Sequence, residues 1–520
     1  MATAFVTEAP AIFPVRRVKS QMLLGWLFPN AAVSVSLIAL FLCLFSGEGP
    51  AKLFRDADTG WHIRNGESIL AAGSLPRVDP YSFSKAGQPW FAWEWGADAL
   101  MGIANQWRGL SGVALLYSAV IALTVFAWFS MNWSAGGNFL LACAFASPML
   151  TTLSLHWLAR PHLFGWLLAV VSLLFLERSG PRFRFLHGLC FFVGGVVWAN
   201  LHASFFLLPF FSLLYAAGAL LRRAVWGDCE RTPASFFLYA ALLSLAGSFV
   251  NPYGWYLHEH VISYLGNPEL LSRVGEFQSF NFHVEGAGQV VLTLVLAVMC
   301  APLTLARKRP EHFLLCCALS VMALRSARVL PLVALLLLPI ANAAFTDALR
   351  KARVGEKLRQ ALDSSLAYTD RLRILDSQFA GYATALAVFL LASVLLSTPS
   401  IAAQTGFPAK EFPVQASAAV EALPESARIL APDKFGGYLI YRFRGKRKVF
   451  FDGRSDFYGA EFMKQYIRLV ESRPGWLEQV ERIGFTHALL PNNYSLVAGL
   501  QQAGWVVIYR DGTATLLRRN

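Results

Sequence analysis

The feature that most constrains this chain is the recurrence of long apolar runs. A helix needs about 20 apolar residues to cross a bilayer, and runs near that length recur throughout the 520 residues. We place about eleven of them, at 22–45, 111–131, 137–154, 162–177, 186–200, 204–221, 235–250, 287–305, 312–325, 329–346 and 379–397. A mean hydropathy of +0.47 with 15% charged residues excludes an ordinary soluble domain. The sequence therefore predicts a mainly α-helical polytopic membrane protein with about 11 transmembrane helices.

The net charge of +13 is explained by membrane topology. If residues 1–21 are cytoplasmic, the loops on the same side are rich in Lys and Arg, as cytoplasmic loops are. The longest, 347–378, is basic and amphipathic, so we expect it to lie on the anionic inner leaflet. We therefore predict a multi-pass protein of the bacterial inner (plasma) membrane and no nucleic-acid partner.

Residues 400–520 differ in character from the membrane domain at 22–397. With an odd number of spans they fall on the side opposite the N-terminus, in the periplasm or outside the cell. Short β-rich runs alternate there with helical stretches near 457–470, 474–483 and 494–503. The β-rich runs are A-R-I-L-A-P, G-G-Y-L-I-Y-R-F, K-V-F-F-D, T-H-A-L-L-P, W-V-V-I-Y-R and T-A-T-L-L-R. This pattern predicts an extramembrane α/β domain.

Histidines and carboxylates collect on the predicted outer face. The first outer loop, 46–110, is too long for a simple connector and carries R-D-A-D-T-G-W-H-I-R-N-G-E, with a short helix expected from Gly60 to Ala72. Ionisable groups at membrane depth cost about 2.5 to 3.5 kcal/mol, so we expect them to line a polar cavity. The candidate site residues are Asp56, Asp58, His62, Arg64, Glu94, Arg160, His162, Asn200, His202, Asn251, Tyr253, Glu276, Arg325 and Arg328, with Asp452 and Arg454 from the C-terminal region.

This arrangement of spans, D-x-D loop and terminal domain resembles the GT-C class of membrane glycosyltransferases. D-A-D-T-G-W-H-I-R-N-G-E is similar to the F-D-P-x-F-N-Y-R region of oligosaccharyltransferase catalytic subunits. D-K-F-G-G-Y-L-I-Y-R-F distantly resembles their W-W-D-Y-G-Y region, a departure that argues against protein N-glycosylation. D-A-D-T-G-W-H, W-A-N-L-H and N-P-Y-G more closely resemble elements of a group of bacterial multi-spanning proteins.

The resemblance implies transfer of a sugar from a polyprenyl-phosphate-linked donor to a glycan, lipid or protein acceptor on the outer face. Such a reaction needs a base for the acceptor hydroxyl and positive charge for the departing phosphate. We expect the base to be Asp56 or Asp58, with Glu94 as the next candidate. Asp56 and Asp58 could instead hold a divalent cation, Mg²⁺ or Mn²⁺, as the oligosaccharyltransferase resemblance implies. No cofactor is certain from the sequence.

The remaining candidates divide between the donor and the acceptor. Arg325 and Arg328 are three residues apart, so on a helix they would share a face and could clamp a phosphate. The other donor candidates are His62, Arg64, Arg160, His162 and His202, and the acceptor candidates are Asn200, Asn251, Tyr253, Glu276, Asp452 and Arg454.

Other interpretations stay open at this point. Each arginine could be a lipid-headgroup contact or a topology marker, and His202 with Asn200 could form an interhelical hydrogen bond. The chain could also be a transporter or flippase of lipid-linked or small solutes, although no inverted repeat is visible in the sequence. It could be a non-catalytic component of polysaccharide assembly.

Overall fold

The computed structural model describes residues 25–228 and 231–520. The expected cytoplasmic segment 1–21 and the start of the first predicted span lie outside these residues. The membrane region contains α1 (Ala31–Phe45), α2 (Asp58–Ala72), α3 (Trp95–Ser134), α4 (Phe139–Ser154), α5 (His162–Glu177), α6 (Phe185–Leu201), α7 (Leu207–Trp226), α8 (Ala234–Ser248), α9 (Trp255–Leu265), α10 (Ala287–Ala306), α11 (Pro310–Arg325), α12 (Leu338–Lys351), α13 (Glu356–Asp376) and α14 (Tyr382–Leu395).

Helices occupy all of the apolar runs that the sequence identifies. Within the described residues, 5 helical segments are long and apolar enough to cross a membrane: Gly25–Phe45, Trp95–Ser134, Ala203–Trp226, Ala287–Ala306 and Ala327–Lys351. Shorter apolar helices are Phe139–Ser154, His162–Glu177, Phe185–Leu201, Ala234–Ser248 and Tyr382–Leu395. The chain is therefore built as a multi-pass membrane protein, and eleven crossings stay a prediction.

The predicted first outer loop is a loop only in part. The expected helix is present as α2, but α3 begins at Trp95, so the end of the predicted loop is helical. The helical path of α3 breaks at Arg108 and Gly109, and Gly109 has a φ of 58°. Because left-handed backbone favours glycine, this residue allows the loop-side part of α3 to turn into its apolar part.

Two glycines set how α2 crosses α3. A Cβ atom on Gly66 would lie 1.7 Å from the carbonyl oxygen of Asp98, and one on Gly102 would lie 2.7 Å from the backbone nitrogen of Glu67. Any larger side chain would push the helices apart. This backbone contact brings Asp98 beside the first turns of α2.

The C-terminal region forms a small α/β domain. Its elements are β1 (Ile429–Leu430), α15 (Asp433–Arg442), α16 (Ser455–Val470), α17 (Trp476–Ile483), β2 (His487–Pro491), α18 (Ser495–Gln502), β3 (Val506–Arg510) and β4 (Ala514–Arg518). The sheet order is β1-β2-β4-β3, with β1 parallel to β2 and the other pairs antiparallel. The three expected helical stretches and four of the expected β-rich runs are confirmed.

Two expected strands are not part of the sheet. G-G-Y-L-I-Y-R-F lies mostly in α15, where buried Phe435, Tyr438 and Leu439 recur at the helical spacing. In K-V-F-F-D, Val449 pairs with Ser82 of the first loop in an isolated parallel bridge. The expectation of strands there was wrong because both segments pack between the first loop and the sheet instead of joining the sheet's hydrogen bonding.

The domain is docked on the loop that carries the predicted carboxylates. A Cβ atom on Gly60 would lie 2.3 Å from the carbonyl oxygen of Gly437, so α2 and α15 touch backbone to backbone. Arg454 is buried and bridges Asp452, at 2.7 Å, to Asp79 of the loop, at 2.8 Å. The domain therefore forms the roof above the first loop.

Candidate active site

A cavity of about 720 Å³ lies beneath this roof. Its walls come from the first loop, the turn between α4 and α5, the start of α7, α9, the segments 271–277 and 325–332, and the C-terminal domain. Most of the predicted site residues line it: Asp56, Asp58, His62, Glu94, Arg160, His162, His202, Glu276, Arg325, Arg328 and Arg454. The fold thus brings together residues that are far apart in the sequence.

Three carboxylates converge on the guanidinium of Arg160. Its Nη1 lies 2.9 Å from Oδ2 of Asp56 and 2.7 Å from Oε1 of Glu276. Its Nη2 lies 2.9 Å from Oδ2 of Asp58. The second oxygen of Glu276 is held by Arg328 at 2.6 Å. Three carboxylates and two guanidiniums form one connected ionic cluster along the cavity wall.

Hydrogen bonds from neighbouring residues of the same segment also hold the two aspartates. Oδ1 of Asp56 accepts the backbone N–H of Asp58 at 2.8 Å, just where α2 begins. Oδ1 of Asp58 accepts the indole N–H of Trp61 at 3.1 Å. Both carboxylates are therefore fixed in orientation.

Two acids of the cluster, Asp58 and Glu276, have pKa values shifted in opposite directions. Burial raises the pKa of Asp58 to about 7, although Arg160 opposes this shift. Burial acts in the same direction on Glu276, but Arg160 and Arg328 outweigh it and hold its pKa well below the usual range. Glu276 is therefore ionised at neutral pH, whereas Asp58 titrates there.

The arrangement of Asp56 and Asp58 does not fit a divalent cation. The oxygens that would ligate the ion contact Arg160 instead. A divalent cation on these oxygens would have to displace the guanidinium, because the two cations about 4 Å apart would repel each other by roughly 8 kcal/mol at an effective dielectric constant of about 20. Within residues 25–228 and 231–520, no group of three or more His, Cys, Asp or Glu side chains is suited to hold a metal.

A second polar group surrounds Glu94. Its Oε2 lies 3.9 Å from Nε2 of His62, and its Oε1 lies 3.4 Å from Nε2 of His202. Behind it, Nδ1 of His62 contacts Oδ1 of Asp98 at 2.6 Å, and Oδ2 of Asp98 accepts from Asn65 at 2.5 Å. Glu94 is thus held more loosely than Asp56 or Asp58 and faces the cavity.

The pKa values in this group favour proton transfer at Glu94. Burial raises the pKa of Glu94 to about 7. Burial lowers the pKa values of His62 and His202 to about 3, so both imidazoles are neutral at physiological pH. A carboxyl group with a pKa near the working pH is the kind best suited to general acid–base catalysis.

Asp98 is the member of this group that sequence reasoning missed. It lies in the predicted first outer loop, 46–110, and its side chain is 1% exposed. A signal was present, because Glu94 and Asp98 are four residues apart and a helix places such residues on one face. The crossing of α2 over α3, which brings His62 to Asp98, is not visible in the sequence.

Arg325 and Arg328 differ from the expected clamp. Arg325 ends α11, Ser326 is extended with a φ of −143°, and Arg328 follows in a short 3₁₀ helix. They therefore do not share a helix face. Arg328 is paired with Glu276, whereas Arg325 and Arg55 line the cavity with no carboxylate in ion-pair distance among the described residues. These two are the cations that remain available for an anionic ligand.

Arg64 and Asp452 lie where the domain meets the first loop and do not line the cavity. Arg64 donates to the carbonyl of Tyr441 at 2.9 Å and lies 4.4 Å from the centre of its ring, and it also binds Glu67. Asp452 accepts from Nε and Nη2 of Arg454, each at 2.7 Å. Their charges serve the attachment of the domain.

The predicted acceptor residues of the W-A-N-L-H and N-P-Y-G elements also lie behind the cavity wall. Asn200 accepts the indole N–H of Trp95 at 2.8 Å. Asn251 accepts the backbone N–H of Tyr253 at 2.8 Å, and the hydroxyl of Tyr253 accepts that of Ala92 at 3.0 Å. In the structure these residues position the segment that carries Glu94.

Comparison with solved structures finds proteins of similar fold. The oligosaccharyltransferase AglB from Archaeoglobus fulgidus, solved with an inhibitory peptide and a dolichol-phosphate, matches with a TM-score of 0.54 and 10% identity over 89% of this chain and 69% of AglB. An apo form of an oligosaccharyltransferase from the same organism matches with a TM-score of 0.52 and 13% identity over the same shares of 89% and 69%. ArnT from Cupriavidus metallidurans, solved with undecaprenyl phosphate, gives 0.49 and 15% over 94% of this chain and 97% of ArnT.

No protein-family model matches the sequence, and the comparison with curated proteins gave no match. The structural likeness therefore concerns the fold. The chain resembles the GT-C glycosyltransferases, and the resemblance expected from the D-x-D loop, the spans and the terminal domain is confirmed at that level.

Proposed function

We propose that the chain is a membrane glycosyltransferase that moves a sugar from a polyprenyl-phosphate-linked donor to an acceptor on the outer face of the membrane. One observation carries this proposal: Glu94 and Arg325 line the same cavity. Glu94 is a loosely held carboxyl group, and Arg325 has no carboxylate in ion-pair distance among the described residues. A base and an anion site within one cavity are what sugar transfer from a lipid phosphate requires.

The lipid would enter along the apolar side of the cavity. Phe206, Val261 and Leu265 line this side, and Phe206 and Leu265 are also exposed on the helical surface. The phosphate would meet Arg325 and Arg55 where the apolar wall ends. The polyprenyl chain and its headgroup would thus find matching surfaces side by side.

The reaction can be written with these residues. The acceptor hydroxyl oxygen attacks the anomeric carbon and forms the new C–O bond, while the bond from that carbon to the phosphate oxygen breaks. The phosphate leaves with the electron pair and is neutralised by Arg325. The hydroxyl proton passes to the carboxylate of Glu94. Asp56 and Asp58, bound to Arg160, orient the site in this scheme.

The C-terminal domain would hold the acceptor. Lys434 and Asp456 come from this domain and line the cavity beneath its roof. In the proposed topology the domain lies in the periplasm or outside the cell, anchored to the inner membrane by the helical region. The acceptor would be a glycan, a lipid or a protein that reaches the cavity from that side.

A deletion strain tests the proposal. We expect deletion to cause lipid-linked sugar to accumulate and a surface glycan or glycolipid to disappear, as measured by mass spectrometry of lipid extracts and surface glycans. The wild-type chain and the control Glu425→Gln, an exposed carboxylate of the domain, should restore both. Glu94→Gln should insert normally and restore neither.

Full complementation by Glu94→Gln would contradict the proposal. Solute uptake into proteoliposomes that survives Glu94→Gln would favour the transporter or flippase. Restoration of the glycan without any change in lipid-linked sugar would favour a non-catalytic assembly role.

A further inference from the structure

The convergence of Asp56, Asp58 and Glu276 on one guanidinium carries an inference about the cation of this site. We propose that Arg160 takes the place of a divalent cation, so that the site works without a metal. The catalytic half of this inference rests on the proposed glycosyltransferase function. The binding half concerns only which cation the three carboxylates hold.

The backbone holds Arg160 in this position. The N–H of Ala159 donates to the carbonyl of Leu53 at 2.8 Å, and the hydroxyl of Thr59 donates to the carbonyl of Ala159 at 3.0 Å. The segment just before Arg160 is therefore bound on both sides of the Asp56–Asp58 segment, and Pro161 follows with its restricted backbone. These contacts fix the backbone from which the Arg160 side chain extends, and the three carboxylates hold its guanidinium.

The third carboxylate is fixed independently. The hydroxyl of Ser326 donates to the carbonyl of Glu276 at 3.1 Å, and the N–H of Ala327 donates to the carbonyl of Gln278 at 2.9 Å. Arg328 holds Oε2 of Glu276, which leaves Oε1 directed at Arg160. All three acids are thus oriented toward the same point by contacts that do not involve a metal.

The donor geometry suits a guanidinium. A guanidinium is planar and always charged, and it donates several hydrogen bonds to carboxylates in fixed directions. Mg²⁺ instead requires near-octahedral oxygen ligands at about 2.0–2.1 Å. Here the carboxylate oxygens lie 2.7 to 2.9 Å from two nitrogens of one side chain. A cation built into the chain also makes the site independent of metal supply.

Mn²⁺ binding measured by electron paramagnetic resonance tests the binding half. The full chain in lipid nanodiscs, freed of metal with EDTA, is titrated with Mn²⁺ up to about 1 mM. We expect the wild type and Asp58→Asn to show the same Mn²⁺ binding, because Arg160 occupies the site in the wild type. Arg160→Ala removes the guanidinium and leaves three carboxylates, so its Mn²⁺ affinity should rise by at least about tenfold. Adding Asp58→Asn to that variant should abolish the gain.

Arg273→Ala is the matched control. Arg273 also lines the cavity but pairs with Glu269, so its loss should create no Mn²⁺ site. If Arg160→Ala does not fold, Arg160→Met, which fills the space without charge, serves in its place, with size-exclusion profiles as the check. Mn²⁺ bound by the wild type and lost in Asp58→Asn overturns the proposal. So does an Arg160 variant that binds no more Mn²⁺ than the wild type.

The catalytic half has its own readout. Consumption of lipid-linked sugar by the wild type should be unchanged in EDTA, whereas Arg160→Ala should lose activity and regain part of it with Mn²⁺. A chain that shows the expected Mn²⁺ binding but consumes no lipid-linked sugar would refute the glycosyltransferase and leave the cation assignment intact. Activity that EDTA removes from the wild type would refute metal independence alone.

Discussion

Nδ1 of His62 lies 2.6 Å from Oδ1 of Asp98, beneath the ring of Trp61 stacked 3.6 Å away. This hydrogen bond fixes the ring so that Nε2 is turned toward Glu94. His62 and Asp98 therefore lie in line behind the carboxyl group of Glu94. Asp98 disfavours ionisation of Glu94, whereas His62, neutral at physiological pH, adds no charge beside it.

This line predicts different pH profiles for two variants. In His62→Gln the acid limb of the pH–activity profile should stay close to that of the wild type, because His62 is uncharged in the pH range where Glu94 titrates. In Asp98→Asn the limb should move to lower pH, because the group that raises it is lost. Profiles of lipid-linked sugar consumption at constant ionic strength measure both. A shift in His62→Gln as large as that in Asp98→Asn would contradict this prediction.

Glu94 should also couple stability to pH. Burial raises its pKa from 4.5 to about 7, so the folded state holds a proton that the unfolded state releases in this window. The contribution is fully present below about pH 4.5 and is lost as the pH rises through 7, with a size of roughly 3 kcal/mol. Glu94→Gln cannot ionise, so its thermal midpoint between pH 5 and 8 should fall less than that of the wild type. Parallel curves for the two chains would refute this assignment.

Arg325 should contribute binding energy for the donor. Its charge is not compensated by a carboxylate among the described residues, so Arg325→Ala should remove one charged contact to phosphate, worth about 1.5–3 kcal/mol. We expect the dissociation constant for undecaprenyl phosphate in nanodiscs to rise by roughly 10- to 100-fold. Arg223→Ala, an exposed arginine in the last turn of α7, is the control and should bind as the wild type does. Equal affinities for both variants would place the phosphate elsewhere.

Gly60 should be sensitive to a single methyl group. Its Cβ would lie 2.3 Å from the carbonyl oxygen of Gly437, so Gly60→Ala should force α2 and α15 apart at a cost of about 1–3 kcal/mol. Limited proteolysis should then release the C-terminal domain faster, and the thermal midpoint should fall. Gly288→Ala, a helical glycine of α10 with nothing within 4 Å of its Cβ, should leave both unchanged. An unaffected Gly60→Ala chain would mean that the contact does not hold the domain.

The sequence was sufficient for the helical framework. Apolar periodicity located the helices, and clusters of histidine and carboxylate residues identified the face that carries the cavity. It was insufficient at 436–443 and 448–452, where apolar and aromatic residues suggested strands. Part of their environment is the first loop, which lies far away in the sequence and contacts α15 and Val449.

The sequence indicated which residues lie in the cavity but not which of them form ion pairs with each other. Asp56, Asp58, Arg160 and Glu276 were all candidates, assigned to three different roles. That they meet on one guanidinium depends on the backbone contacts around Ala159 and on the turn after α11. Helix ends depend on a few φ and ψ angles, as at Ser326, and these cannot be obtained from residue spacing alone.

The bridge between Asp79 and Arg454 bears on how the protein is made. Asp79 leaves the ribosome early, and Arg454 follows only after the last apolar helix has been synthesised. Until then the carboxylates of the first loop are uncovered. The cavity is completed last, so a chain that ends prematurely has the helices of the membrane region without the domain that closes the cavity above these carboxylates.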